Sequence, residues 1–115
     1  MSIDIERTVA EILMEQTGVK AVLEVPNDRP DEFLSVELTG TGGTRFAKTC
    51  FLAVQSWAKT RKEASALASL VEELTPELGA HPNIFSPQAT NTYRFPDPDS
   101  GQERYQTTIE LFLCE

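Results

Sequence analysis

The run "TCFLAVQSWA", residues 49–58, restricts the fold more than any other part of this chain. A β-strand points successive side chains to opposite faces of a sheet, and this run is apolar at odd and even positions alike over much of its length. Such a strand needs neighbours on both sides and cover over part of both faces. We therefore predict that residues 49–58 form a central strand that anchors a sheet.

An amphipathic helix is predicted directly after this strand, over residues 59–74. Thr60 and Glu63 have the spacing of a capping box, in which the two side chains bond each other's backbone N–H groups. The apolar side chains that repeat along one helical face are Ala64, Leu67, Ala68, Val71 and Leu74. Small alanine and serine side chains would let this helix approach a sheet or a neighbouring subunit closely.

A second amphipathic helix is predicted over residues 4–17. Its apolar stripe has the spacing i, i+4, i+7 and i+8 and consists of Ile5, Val9, Ile12 and Leu13. Asp4 or Ser2 is expected to cap its start, and Gly18 suits the left-handed residue that ends a helix.

Two half-buried strands are predicted between these helices, over residues 19–25 and 34–39, because apolar and polar side chains alternate there. Pro26 and Pro30 punctuate the polar loop between them. The stretch "GTGGT", residues 40–44, is predicted to end the second strand and to begin a mobile hairpin loop. It lacks the GK[ST] ending of a phosphate-binding P-loop and precedes a strand rather than a helix.

The C-terminal stretch "NTYRFPDPDSGQERYQTTIEL" predicts a stiff hairpin, with strands at 92–95 and 104–114. In its turn, proline presets φ, aspartate bonds its own backbone, and Gly101 is free to take a positive φ. Residues 84–90 are predicted to be irregular, because Pro87 argues against a long central strand there.

The two faces of the last strand differ in character. One face carries Tyr105, Thr107, Ile109, Leu111 and Leu113. The opposite face carries Arg104, Gln106, Thr108, Glu110 and Phe112. Because the second set keeps one side of the sheet substantially polar, we expect both helices to cover the other side.

The order of elements is therefore helix, strand, strand, strand, helix, strand, strand (α-β-β-β-α-β-β). It predicts an α+β fold, with a mostly antiparallel four- or five-stranded sheet and two helices packed on one face. A chain of 115 residues with 40% hydrophobic residues can fill one core but not two, so we expect residues 1–115 to form a single domain.

Charge and hydropathy narrow the classes of partner. Eighteen acidic against ten basic residues give a formal charge of −8, which disfavours a grip on phosphate backbones, so no sequence-specific nucleic acid is expected. No apolar run approaches the roughly 20 residues that span a bilayer, and the first residues lack the pattern of a signal peptide. Two cysteines without a CxxC pair fit a reducing cytoplasm.

Candidates for catalysis or cofactor binding are few. His81, the one histidine, lies in a connector, and a pair with Cys50 is an open alternative to a buried, inert thiol in an apolar strand. Asp97 and Asp99 lack the further oxygen ligands of a calcium loop, and turn chemistry accounts for both. We therefore expect no catalytic residues, no metal and no cofactor.

One local cluster is both basic and aromatic on this acidic chain: Arg45, Phe46 and Lys48. Two interpretations stay open, a contact with a partner and a solvated loop whose aromatic ring packs against the sheet. Trp57 has apolar neighbours and is expected in the core.

In order, "FAKTCFLAVQSWAKTRKEASALASLVEEL", "HPNI" and "NTYRFPDPDSGQERYQTTIELFL" resemble the tail terminator type of neck and tail-completion protein of long-tailed bacteriophages and prophages. The resemblance covers roughly residues 33–113. In that family a strand ending in an aromatic residue and Ala leads into a Thr-Arg-x-x-Ala helix, and a Tyr-x-Phe-Pro-Asp-Pro hairpin leads into the last strand. No catalytic motif comes with the family.

The resemblance implies a ring, usually of six copies, that stops polymerisation of the tail tube and presents a surface to the head connector. The implied partners are further copies of this chain, the major tail tube protein and the head-completion or connector protein, in the host cytoplasm during assembly and in the virion neck afterwards. DNA would pass through the ring. The residues expected in these contacts are Arg45, Phe46, Lys48, Arg94, Asp97, Asp99 and Arg104.

On this hypothesis the 94–104 hairpin and the 40–48 loop project from the sheet, and the charged residues of the hairpin pair across the joint between molecules. Two alternatives stay open. One is a head-completion or connector protein of the same particle. The other is a small α+β module that dimerises through its sheet and holds a peptide or metabolite.

Overall fold

The computed structural model describes residues 3–44 and 46–115. The elements in these ranges are α1 (Ile5–Thr17), β1 (Ala21–Val22), β2 (Phe33–Gly43), β3 (Lys48–Ala58), α2 (Arg61–Leu74), a 3₁₀ helix (Thr75–Ala80), β4 (Ile84–Arg94) and β5 (Glu103–Leu113). The strands form one sheet with the order β1-β2-β3-β5-β4. The predicted α+β fold and order of elements are confirmed.

The longest strands pair antiparallel, β2 with β3, β3 with β5, and β5 with β4. Only the short β1 runs parallel to its neighbour, β2. The strand β3 lies in the middle of this order and pairs along its whole length with β5, from Lys48 opposite Leu113 to Ala58 opposite Glu103. The prediction of a central strand is therefore confirmed.

The core lies between the helices and one face of the sheet. Each element contributes the apolar positions that its period places on that side. The fully buried members include Val9, Leu13, Leu34, Leu52, Val54, Val71, Ile109 and Leu111. The faces predicted for the two helices and for the last strand are thus confirmed.

The helix ends follow the local signals. Asp4 accepts a hydrogen bond from the Arg7 backbone N–H, and Gly18 follows the last turn of α1 with φ +74°. The Thr60 side chain accepts from the Glu63 N–H at 3.1 Å and so caps α2. The alternative cap Ser2 lies outside the described residues.

The strand predicted over residues 19–25 is wrong in length, since only Ala21 and Val22 pair with β2. The alternation there has another cause. Val19, Ala21 and Leu23 pack against the core beside α1 whether or not their backbone joins a ladder. Alternation of apolar and polar side chains indicates which side of an extended segment is buried, but it does not show whether the backbone forms hydrogen bonds with another strand.

The expected mobile loop at residues 40–48 is also wrong. After a bulge that follows Leu38, β2 continues through the glycines, and the ladder ends only at Gly43 opposite Lys48. Glycine disfavours strands but keeps its backbone donors and acceptors, so pairing with β3 prevails over propensity. Gly43 has φ +80°, and a Cβ there would lie 2.5 Å from the Ala47 carbonyl oxygen.

The strand β4 begins at Ile84, so the irregular segment predicted up to residue 90 is wrong. It is the edge of the sheet, where Pro87 costs no ladder bond on its solvent side. Register shifts between Phe85 and Gln88 and between Ala89 and Asn91 mark bulges that absorb the proline. Ser86 takes a positive φ of 51° beside the first bulge.

Candidate interaction surfaces

The face of the sheet opposite α1 and α2, called the open face below, has two unlike halves. The alternation that sends Leu52 and Val54 into the core sends Phe51 and Trp57 to the open face. The half near the 94–104 hairpin, called the closed half below, is covered in part by the chain's own side chains, and Tyr93 and Phe95 stay 39% and 42% exposed there. The half near the β2–β3 turn, called the open half below, exposes three phenylalanine rings.

In the closed half, two guanidinium groups and a phenylalanine ring pack against Trp57. Its ring stacks on Phe33 at 5.2 Å between centroids with an interplanar angle of 11°. The guanidinium carbons of Arg29 and Arg104 lie 5.3 Å and 4.8 Å from its centroid. Cation–π attraction holds these charges in place. Trp57 is 2% exposed, as expected, although it lies on the open face and not against the helices.

A chain of hydrogen bonds crosses the same half from β2 to β4. Trp57 Nε1 donates to Ser35 Oγ at 2.9 Å, and Ser35 Oγ donates to Gln55 Oε1 at 2.8 Å. Gln55 Nε2 donates to Gln106 Oε1 at 3.0 Å, and Gln106 Nε2 donates to Tyr93 Oη at 2.6 Å. These hydrogen bonds satisfy polar groups that the packing of the aromatic rings removes from water. The alternation of side chains in the sequence does not predict them.

Asp97 organises the hairpin turn. Its carboxylate accepts from Ser100 Oγ at 2.6 Å, from Arg29 Nη1 at 3.1 Å and from the Asp99 and Ser100 backbone N–H groups. The hydrogen bond from Ser100, and then that from Arg29, lowers the pKa of Asp97 to about 2. Gly101 completes the turn with φ +73°, as predicted.

The basic residues of the hairpin also act within the chain. Arg94 forms a forked ion pair with Glu103, with a shortest distance of 2.6 Å. Arg104 donates from Nε to the Phe95 carbonyl at 2.6 Å, and burial lowers the pKa of its guanidinium. Arg94 and Asp97 therefore have partners in their own chain, and the expected charge pairing across a joint between molecules is untested. Contact between the hairpin and another protein stays a prediction, and Asp99 is its exposed carboxylate.

The open half carries three aromatic side chains on neighbouring strands, Phe51, Phe85 and Phe112, called the aromatic patch below. They are 38%, 49% and 38% exposed. Phe85 lies directly opposite Phe112, and Phe51 lies opposite Glu110, two residues before Phe112 on the same face. The sequence analysis did not predict this patch. Phe112 could have indicated it, because it is an aromatic residue on the otherwise polar face of the last strand.

The turn between β2 and β3 exposes a fourth aromatic ring. Phe46 is 70% exposed, so most of its side chain is in contact with solvent. Thr44 closes the turn, because its N–H donates to the Ala47 carbonyl at 3.1 Å and its Oγ1 accepts from the Phe46 and Ala47 N–H groups. Lys48 is exposed at the start of β3, and Arg45 lies outside the described residues.

Within the described residues, no hydrogen bond joins Cys50 to His81, the candidate catalytic pair. Cys50 is fully buried, and burial raises the pKa of its thiol. His81 Nδ1 accepts from the Asn83 N–H at 3.1 Å. The described residues contain no group of three or more His, Cys, Asp or Glu able to hold a metal ion. None of the described helices is long and apolar enough to cross a membrane.

One open cleft of about 520 Å³ lies between α1 and the segment around β1. Its lining combines charged and apolar side chains. The lining residues are Arg7, Ala10, Glu11, Met14, Ala21, Val22, Leu23 and Glu24. The cleft is wide enough for a short peptide or a small molecule.

Comparison with models of known protein families found no match for this chain. Comparison with curated proteins found no match either. The resemblance to tail terminators therefore rests on the quoted motifs alone.

Proposed function

We propose that this protein is a structural subunit of the tail terminator type, which forms a ring on the end of a phage tail tube. The ring stops tube polymerisation and offers its outer surface to the head connector. Further copies of the chain, the major tail tube protein and the connector are its partners. The protein works by contact and not by turnover of a substrate.

The aromatic patch is the observation that carries this proposal. A soluble protein gains free energy by burying large rings, at roughly 25 cal/mol per Å² of apolar surface, so contiguous exposed rings mark an interface. Phe51, Phe85 and Phe112 form such a surface, whereas Arg29 and Arg104 cover Trp57 in the other half of the same face. An interaction surface of this kind is what an assembly subunit needs.

The free edge of the sheet supports the same proposal. The strand β4 is 11 residues long and lies at the end of the strand order. Unpaired backbone groups along such an edge are a template for another chain unless they are blocked. Pro87 and the bulges protect the first part of β4, whereas its last residues, up to Arg94, continue into the stiff hairpin. This edge therefore adds a second surface for the partners of the ring, distinct from the patch.

The test is polymerisation of purified tail tube protein with and without this protein, followed by electron microscopy. We expect tubes of limited length that carry a ring at one end. Phe85→Ser should weaken capping, because it removes the most exposed ring of the patch. Met14→Ser is the matched control, since Met14 is a similarly exposed apolar side chain, 40% exposed, on the helical side. Tubes of equal length with and without the wild-type protein would refute the proposal.

Two competing functions have distinct outcomes in the same assay. A head-completion or connector protein would bind the portal side and leave free tubes uncapped. The cleft beside α1 favours a small peptide- or metabolite-binding module. That module would sediment as a dimer, ignore tubes, and lose ligand binding on substitution of Met14 rather than of Phe85.

A further inference from the structure

The aromatic patch has negatively charged side chains beside its rings. Glu110 lies between Phe51 and Gln88 in the ladder, and Glu37 lies on the same face opposite Ala53. Neither carboxylate forms an ion pair in the described part of the chain. A partner that fits this surface therefore brings an apolar group together with positive charge.

The β2–β3 turn offers that combination. Its stretch Arg45, Phe46, Ala47, Lys48, called the tip below, joins an aromatic ring to two cations on a chain of formal charge −8. The ring of Phe46 is 70% exposed, and the Thr44 hydrogen bonds hold the turn that carries it. Phe46 has 70% of its surface in contact with solvent, and each ring of the patch has between 38% and 49%.

We propose that the tip of one copy docks on the aromatic patch of the next copy. Phe46 packs among Phe51, Phe85 and Phe112, and Lys48 approaches the carboxylates of Glu37 and Glu110. This inference rests on the proposed function, since the second copy is the next subunit of the ring. It names the contact that joins the subunits.

The symmetry of this contact follows from its two parts. Each copy has one tip and one patch, and the two surfaces differ, so the contact is heterologous. Repetition of a heterologous contact gives a closed ring when the rotation between copies closes, and a filament when it does not. A single kind of contact is therefore sufficient for a cyclic assembly.

The first experiment traps the contact as a disulfide. In a Cys114→Ser background, Phe46→Cys is placed in one tagged copy and Phe85→Cys in a differently tagged copy, while the buried Cys50 stays inert. We expect mild oxidation to join the two tags. Replacing Phe85→Cys by Met14→Cys, at an exposed position on the helical side, should reduce the yield several-fold. Equal yields for the two pairs would overturn the proposal.

The second experiment is complementation by sedimentation at concentrations up to millimolar. Wild-type protein should self-associate, and Phe46→Ser and Phe85→Ser should each associate at least about tenfold more weakly. A mixture of the two variants has one intact tip and one intact patch for each pair, so it should form one-to-one complexes and nothing larger. Glu110→Lys should weaken association without altering the fold, and Met14→Ser should leave it unchanged.

The outcomes separate this inference from the proposed function. Capped tubes together with tip variants that associate like wild type would overturn the tip contact and leave the terminator role standing. Cross-linking of tip to patch by a protein that caps no tubes would support the contact and refute the role. If Phe85→Ser abolishes capping but leaves self-association intact, the patch belongs to the tube protein and the tip contact is wrong.

Discussion

At the scale of single residues, two buried serines on the sheet differ in whether their hydroxyl groups form hydrogen bonds. Ser35 and Ser56 are both buried, at 5% and 0% exposure. Ser35 Oγ joins Trp57 to Gln55, whereas Ser56 Oγ has no hydrogen-bond partner within the described residues. The same side chain therefore has opposite consequences at the two positions.

We predict that Ser56→Ala raises the free energy of unfolding by about 1 kcal/mol, because it removes a desolvated hydroxyl that bonds nothing. Ser35→Ala is the matched control. It should lower stability by about 1–3 kcal/mol, because the Trp57 N–H and the Gln55 amide lose their shared partner. Urea unfolding at neutral pH measures both changes, and a loss of stability in Ser56→Ala would contradict the prediction.

Asp97 makes stability depend on acid. Its pKa is about 2 in the folded protein, below the value of about 3.9 in an unfolded chain, so ionised Asp97 stabilises the fold above about pH 4. That contribution is lost as the pH falls from about 4 through 2. We expect Asp97→Asn to lower the melting temperature at pH 7 and to flatten this part of the pH profile.

Asp99→Asn is the control for Asp97, since Asp99 lies in the same turn and is exposed. Its melting profile should match that of the wild type. The contacts of Asp97 within the chain also decide which substitution tests a partner contact. A charge reversal at both aspartates would disturb the monomer and not only its assembly, so single substitutions at Asp99 are the cleaner probe of a partner.

At the scale of elements, the last strand β5 carries core side chains on one face and interface candidates on the other. Leu111 is fully buried and the adjacent Phe112 is 38% exposed. Sequence alternation predicted the two faces correctly, because the period of a strand is set by backbone geometry alone. It could not show that Phe112 meets Phe85, since β4 was expected to begin several residues later.

We predict that Leu111→Ala lowers the free energy of unfolding by about 2–5 kcal/mol, because it leaves a cavity under the helices. Phe112→Ala on the same strand should cost clearly less, since much of its ring is already in water. Thermal unfolding of the two variants provides the comparison. Equal losses would mean that the open face is as well packed as the core.

At the scale of the whole molecule, the distribution of charge fits assembly through defined patches. The net charge of −8 keeps copies apart in general, so association needs local complementarity. The tip and the carboxylates of the open face supply it. Because such attraction between exposed charges is screened, we expect self-association to weaken as NaCl rises to about 1 M, where the Debye length falls to roughly 3 Å. Sedimentation across a salt series measures this, and association that does not respond to salt would contradict it.

The sequence by itself determined what depends on neighbours along the chain. Thr60 caps α2, Gly101 closes the hairpin turn, and residues 49–58 form the central strand, because capping, turn geometry and side-chain period are local properties. Which residues contact a partner stays a prediction. Phe46 and Lys48 are exposed as a partner contact requires, whereas the aromatic patch went unrecognised.

Only the tertiary structure decided which distant residues meet. Arg29 and Asp97, separated by 68 positions, form one ion pair beside Trp57, and no local pattern encodes that contact. The strand β2 continues through its glycines because it pairs with β3. Pro87 is tolerated in β4 because β4 is an edge strand. In each case the stabilising contacts join residues that are distant in the sequence and that meet only when the chain folds. The order of the strands therefore decides which side chains meet on the open face.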